Sequence, residues 1–319
     1  MNTTFLVGGM GQIGTVLKDY LIKQNEYVII TSRYKNKKIK TKNAKIISLN
    51  INDKIDIKKK IELYNPDKIF YLAGQSSPRE SIKKKKITFK SNFNGCKNFL
   101  EIIYQLNNNI KFINACSSEI FNKSKNKLRV TSNKKPSSPY GLAKLKSFNL
   151  TKYYRLKKNL KSYNAILFNT ESVYRKDIFL LPKICKAAIN ASKYKKKTTF
   201  GNIEIVREWN WADDQCDLLV KFAKEKPQDF ILSNGKPYSV RKMISYAFQY
   251  LKLDYKKYIK VSKKYYKKGE AIKKKSDYSY YLKKNNIKKK NFIHGKKLVH
   301  LMIRFYLNKQ NSKILKSNI

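Results

Sequence analysis

Through the first half of the chain, short apolar runs alternate with longer stretches whose apolar positions recur at helical spacing. TTFLVG reads as a strand and QIGTVLKDYLIKQN as a helix. EYVIITS and AKIISLNI read as strands, followed by a helix around IDIKKKIELYN. PDKIFYLAG is again a strand, FNGCKNFLEIIYQLN a helix and IKFINACS a strand. A helix from about Ser138 to Asn159 and a strand YNAILFN complete the series. Strand and helix alternating in this way predict an α/β fold with a doubly wound parallel sheet, helices on both faces. After Asn169 the segments become shorter and more mixed, which predicts a smaller C-terminal α/β lobe wrapped over the C-terminal edge of the sheet. The expected division gives residues 1–168, with roughly 203–234, to the sheet domain. Residues 169–202 and 235–319 then form the lobe. No internal repeat is present, and the Lys/Tyr-rich piece from Tyr255 to Lys290 alternates enough apolar residues to fold.

Composition changes this picture little. The 319 residues, 41% hydrophobic with 23 Tyr and 16 Phe, suffice for a large buried core, so a globular chain is expected. No apolar run approaches the roughly 18 residues of a membrane span. The start MNTTFLVGGMGQIG lacks the basic region and cleavage site of a signal peptide. Cys96, Cys116, Cys185 and Cys216 lie far apart, and His294 and His300 are the only histidines, which fits reduced thiols and no metal site in a cytoplasmic protein. The formal charge of +51 invites a nucleic-acid partner. Against it, the lysines are spread over the whole chain, and arginine occurs only eight times. The charge suits attraction of an anionic small substrate better, and KKKK at Lys83–Lys86 reads as solvated surface.

The first motif with chemistry is VGGMGQIG. Gly8, Gly11 and Gly14, with Gln12 and Ile13 between the last two, follow a strand and open a helix. Glycine permits a tight turn and close approach of a pyrophosphate, and the helix N-terminus supplies amide donors, so a Rossmann-type dinucleotide site is expected. After the second strand the chain reads IITSRYKNKK, with Arg33 and no carboxylate. That favours NADP over NAD, although a basic loop in a basic protein would look the same. In SPYGLAK, Tyr140 and Lys144 lie one helical turn apart, where an ammonium stabilises a phenolate. Tyr and Lys are abundant here. The pair gains weight from its place after the fifth strand and downstream of the Ser-Ser of ACSSEIF.

Taken together, GGMGQIG, YLAGQSS, ACSSEIF, SPYGLAK, ILFNTES, GNIEIVREW and YSVRKM resemble the extended short-chain dehydrogenase/reductases, and more narrowly the GDP-mannose 4,6-dehydratase family. The tail matches faintly through YYKKGEAI and SDYS. The resemblance implies a lyase that converts GDP-mannose to GDP-4-keto-6-deoxymannose with transient hydride transfer to bound NADP. It implies a catalytic set of Ser117, Glu119, Tyr140 and Lys144. Tyr140 would take the 4-hydroxyl proton, Glu119 the C5 proton, and Ser117 would hydrogen-bond the C4 oxygen. Cofactor positions would be Gly8, Gly11, Gln12, Ile13, Gly14, Arg33, Asn50, Ile51, Leu72, Ala73, Gly74, Tyr140, Lys144, Thr170 and Arg175. Substrate positions would be Ser81, Asn169, Lys183, Arg207, Lys267 and Glu270. The chain departs from the family pattern in having Thr170 for a histidine, Tyr174 and Lys267 for arginines, and Asn50 for an aspartate. A shorter loop after Arg33 argues for a homodimer through two helices per subunit rather than a tetramer. Other readings are a UDP-glucuronate decarboxylase or epimerase of the same superfamily, and a non-catalytic NADP-binding protein. No nucleic-acid or membrane partner is expected.

Overall fold

The computed structural model describes residues 1–33, 41–106, 109–121, 127–266, 272–278 and 291–317. It divides into two compact units, each assembled from separate pieces of chain. The first comprises residues 1–122, 129–168 and 215–232, the second residues 123–128, 169–214 and 233–319. Residues 203–214 thus group with the second unit, and 215–232 with the first.

The first unit is built on a seven-stranded parallel sheet. Its strands are β1 (Thr3–Val7), β2 (Tyr27–Ser32), β3 (Ala44–Ser48), β4 (Lys68–Tyr71), β5 (Lys111–Ser117), β6 (Ser162–Leu167) and β11 (Asp229–Leu232). Their spatial order is β11-β6-β5-β4-β1-β2-β3. The sequence reverses direction between β1 and β4, the switch point at which doubly wound sheets open a crevice beyond their strand ends. The helices are α1 (Gln12–Ile22), α2 (Lys54–Tyr64), α3 (Pro78–Lys83), α4 (Lys85–Phe89), α5 (Gly95–Gln105) and α6 (Pro139–Lys157). Strands β1, β2, β5 and β6 are buried on both faces, which explains their near-continuous apolar runs, whereas the edge strand β3 is partly exposed. One face packs Phe5, Ile29, Ile69 and Phe112 against Ile57, Ile61, Phe99 and Ile103 of α2 and α5. On the same face, toward the β11 edge, polar groups join the strands: Asn114 donates to Asn164 Oδ1 at 3.0 Å, Asn164 to Asp229 Oδ1 at 2.9 Å, and Arg155 pairs with Asp229 at 2.6 Å. Buried polar atoms tied to one another in this way hold β5, β6, β11 and α6 in one register.

The sequence pattern begins a helix at Phe93. The chain is instead helical from Pro78, and between α4 and α5 a π-helical turn spans Lys90–Asn94. Lys83–Lys86 are exposed, as a solvated run should be.

In the second unit, α7 (Leu180–Tyr194), α9 (Val240–Tyr250) and α10 (Gly295–Ser317) pack around Leu181, Ile184, Trp209, Met243, Phe248, Val299 and Met302. Two-stranded sheets join β7 (Thr170–Glu171) to β10 (Asn210–Trp211), β9 (Val206–Glu208) to β12 (Pro237–Ser239), and β8 (Thr198–Phe200) to β13 (Ile259–Val261). Helix α8 (Ala212–Lys224) carries the chain from the second unit back to the first. Among the described residues no helix is long and apolar enough to cross a membrane, and no cluster of His, Cys, Asp and Glu could hold a metal ion.

Candidate active site

At the end of β1 the chain turns through Gly8, at φ +79°, a left-handed conformation that side chains rarely adopt. A Cβ there would lie 2.7 Å from Ala73 Cα, so the ends of β1 and β4 close on each other only because residue 8 has no side chain. Gly14 is as constrained: a Cβ would stand 2.4 Å from the Gly9 backbone. Gly11 N donates to Gly8 O at 3.1 Å, and Gly11 caps α1 without a side-chain acceptor. The first turn of α1 carries no acidic residue, so the positive end of the helix dipole meets no carboxylate within that turn. Gln12 and Ile13 lie in that turn. Arg33 is exposed just past β2, and Asn50 and Ile51 follow β3. Leu72 N donates to Val7 O, and Leu72, Ala73 and Gly74 follow β4. Apart from Tyr140 and Lys144, the cofactor positions expected in the first unit therefore gather at the C-terminal ends of β1 to β4.

The expected catalytic residues share one end of the sheet with them. β5 ends in Ser117, 9% exposed, whose Oγ accepts from Glu119 N at 3.2 Å and caps a single 3₁₀ turn, Ser118–Ile120. Helix α6 starts beside that turn. Ser138 accepts from Gly141 N, Pro139 fills the first helical position, and a Cβ on Gly141 would lie 2.5 Å from Glu119 O. This contact brings the first turn of α6, with Tyr140, against the backbone of Glu119. One turn on, the Lys144 ammonium is buried and donates to Ala115 O at 2.7 Å, two residues before Ser117. Burial pushes its pKa below the usual lysine range. Cys116 Sγ meets Lys144 O on the same side, and burial raises that thiol to about 12, so it stays protonated.

Ser81 has a different setting from an open substrate position. It is fully buried; its Oγ donates to Pro78 O at 2.6 Å and accepts from Tyr140 N at 3.2 Å. It ties α3 to the start of α6. Asn92, a residue the sequence pattern does not single out, lies in the π-helical turn. Its carboxamide donates to Gln75 O and Thr88 O, both at 3.0 Å, and its Oδ1 would be 2.2 Å from a Cβ on Gly74.

The remaining expected residues belong to the second unit. Asn169 O accepts from the backbone and side chain of Asn210, and Thr170 starts β7. The Arg175 guanidinium lies 3.7 Å from the Phe179 ring centre and 3.6 Å from buried Glu171. Lys183 Nζ donates to Thr199 O at 2.7 Å and stands over the Phe200 ring. Arg207, 6% exposed, donates from Nη1 to Val206 O at 2.8 Å and Ile272 O at 3.3 Å. Lys267 and Glu270 lie outside the described residues.

Known proteins similar to this chain are numerous. The chain is 28% identical over 235 residues to GDP-mannose 4,6 dehydratase 1 of Arabidopsis thaliana, covering 72% of this chain and 65% of that one. To the Dictyostelium discoideum GDP-mannose 4,6 dehydratase it is 27% identical over 303 residues, covering 83% and 85%. The match takes in less than two thirds of the length of the two Arabidopsis relatives, 65% and 61%. Among solved structures, a dTDP-glucose 4,6-dehydratase from Streptomyces venezuelae, with NAD and TYD bound, superposes with a TM-score of 0.85 at 15% identity, covering 97% of this chain and 98% of that one. A UDP-glucose 4-epimerase from Thermotoga maritima gives 0.84 at 19%, covering 97% and 99%. These two share the fold. The family model for GDP-mannose 4,6 dehydratase matches residues 5–291, which takes in the glycine turn, the Ser117–Glu119 turn, α6 and the strand bearing Arg207, and the chain belongs to that family.

Proposed function

We propose that this protein is a GDP-mannose 4,6-dehydratase, a hydro-lyase that forms GDP-4-keto-6-deoxymannose. The observation that supports the reading is the packing of α6 on the Ser117–Glu119 turn, which brings the backbone beside Tyr140 against the turn that carries a hydroxyl and a carboxylate. A simple reductase has no use for the carboxylate.

A nicotinamide cofactor fits the first unit: the tight turn that Gly8 and Gly14 permit, and an α1 N-terminus with no acidic residue in its first turn, suit a pyrophosphate. Gly8, Gly11, Gln12, Ile13 and Gly14 would hold it, with Asn50, Ile51, Leu72, Ala73 and Gly74 beside them; Thr170 and Arg175 of the second unit are candidates by family resemblance alone. Arg33, with no carboxylate beside it in sequence, supports NADP through the 2′-phosphate. When bound, NADP supplies transient hydride storage and is regenerated within the cycle.

The protein's own groups handle protons. The Tyr140 phenolate, stabilised by the Lys144 ammonium, takes the sugar 4-hydroxyl proton. Ser117 holds the C4 oxygen by a hydrogen bond. The resulting 4-keto group acidifies C5; Glu119 removes that proton and delivers one to the departing 6-hydroxyl, which leaves as water. Lys183 and Arg207 suit the substrate diphosphate, Asn169 the sugar, and Lys267 and Glu270 the remaining polar groups.

A homodimer is part of the reading. Tyr104 of α5 and Leu142, Tyr153 and Leu156 of α6 are exposed, a family of apolar groups on two neighbouring helices that a second copy would cover. Four buried thiols support a cytoplasmic site of action.

The test is to incubate purified protein with GDP-mannose and NADP⁺ and to follow the sugar nucleotide by mass spectrometry. Loss of one water, with NADP⁺ undiminished, is expected. No conversion, together with turnover of UDP-glucuronate, would overturn the assignment.

A further inference from the structure

Glu208 follows Arg207 in β9, and its carboxyl is fully buried. Successive strand residues point to opposite faces, so the two side chains serve different surroundings. Arg207 fastens to the carbonyls of Val206 and Ile272. Glu208 accepts four hydrogen bonds: Ser276 N to Oε1 at 2.5 Å, Ser276 Oγ and Gly235 N to Oε2 at 3.0 Å each, and Ser233 Oγ to Oε2. Those donors come from two separate stretches, the 233–235 loop and the 272–276 segment.

The same segment is zipped to β9 by backbone bonds. Val206 N donates to Ile272 O at 2.7 Å, and Lys274 N to Val206 O at 3.2 Å. The Ile272 carbonyl that steers Arg207 therefore sits on a segment whose other end Glu208 grips at Ser276. On β9's other side β12 is antiparallel, with Tyr238 opposite Arg207 and Pro237 opposite Glu208. Gly235 N reaches the carboxylate because residue 235 adopts φ +69°.

We infer that Glu208 is a positioning residue for substrate binding: its carboxylate sets the register of residues 272–276 against β9 and thereby aims the Arg207 guanidinium at the diphosphate. This rests on the reading of Arg207 given above. Glu208 has no part in the proton transfers, which belong to residues of the first unit.

The experiment measures the dissociation constants of GDP and of NADPH, then KM and kcat for GDP-mannose, in wild type, Glu208→Gln, Arg207→Lys and the double variant. An amide keeps the size of the side chain but turns one acceptor into a donor facing N–H groups. For Glu208→Gln the expected result is about tenfold weaker GDP binding and a similarly raised KM. NADPH affinity and kcat at saturation should be unchanged. If Glu208 acts through Arg207, the double variant binds GDP no more weakly than Arg207→Lys alone. Losses that add in the double variant overturn the inference, as does unaltered GDP affinity in folded Glu208→Gln. Should Glu208→Gln fail to fold, Ser276→Ala removes one of the four bonds and must weaken GDP binding without affecting NADPH; no change there has the same force. Wild-type protein that binds NADPH but not GDP would overturn the reading of Arg207 and this inference together, an outcome distinct from wild-type binding that Glu208→Gln leaves untouched.

Discussion

Glu119 lies in the 3₁₀ turn after β5, its backbone amide held by Ser117 Oγ and its carbonyl covered by Gly141. With the backbone pinned on both sides, exchanging the carboxylate for an amide alters the proton chemistry and little else. Glu119→Gln should lose dehydration by roughly 10²–10⁴-fold. Tyr140 and Lys144 remain in place, so reduced cofactor should build up during single-turnover absorbance measurements. Full activity in this variant would remove Glu119 from the mechanism. The proximity of these residues is legible in the sequence because their spacing along the chain is short: Ser117 and Glu119 lie at one turn, Tyr140 and Lys144 one turn apart in one helix. The bond from Lys144 to Ala115 O was not readable, since it joins residues brought together only by the packing of α6 on β5. Nor was the setting of Ser81, whose hydroxyl is taken up by Pro78 O and Tyr140 N.

Between α4 and α5, the π-helical turn Lys90–Asn94 places Asn92 against Gly74, where φ is +155°. Inserted wide turns of this kind redirect a side chain that a regular helix would send elsewhere. Gly74→Ala would bring a Cβ within 2.2 Å of Asn92 Oδ1, so the Asn92 side chain must leave its bonds to Gln75 O and Thr88 O, or the end of β4 must move. NADPH binding measured by fluorescence titration should weaken by about tenfold or more, with a lowered melting temperature. Unchanged NADPH affinity would show that this end of β4 does not touch the cofactor. Hydrophobic periodicity identified most strands of the large sheet because each carries a run of buried residues. The π turn escaped it, since one added residue per turn leaves the apolar spacing nearly helical. β11 escaped as well: four residues, Asp229–Leu232, acquire their meaning only by pairing with β6. The strands of the second unit's small sheets are only two or three residues long, too short to show a period.

At the scale of the molecule, two of the buried carboxyls in the second unit, Glu171 and Glu208, are raised by desolvation to about 7; Arg175 opposes the shift at Glu171, and hydrogen bonds from Ser276 and Gly235 oppose it at Glu208. A carboxyl raised on folding binds its proton more tightly in the folded chain. Its contribution is complete below the unfolded value near 4.3 and is lost as pH climbs through the folded value. His294 and His300, lowered chiefly by burial, act in the opposite sense, gaining stability as pH rises toward the ordinary histidine value. The comparison of variants therefore carries the test. Trp209 and Trp211 are the chain's two tryptophans and both belong to the second unit, so their emission follows its unfolding. Between pH 5 and pH 8, Glu171→Gln should show a stability that falls less, or rises more, than that of wild type, by a few degrees in midpoint. Identical pH profiles would mean that Glu171 is not held protonated by burial.

β6 is joined in the sheet by β11, yet the whole of residues 169–214 lies between them in the chain. A polypeptide emerging from the ribosome therefore completes six strands and must wait, with β6 as a bare edge, until much of the other unit has been made. During that interval its unpaired N–H and C=O groups face any neighbouring chain. Expression yield should then depend on how quickly the stretch from β6 to β11 is translated, a property written in codons and chaperone supply rather than in the folded coordinates.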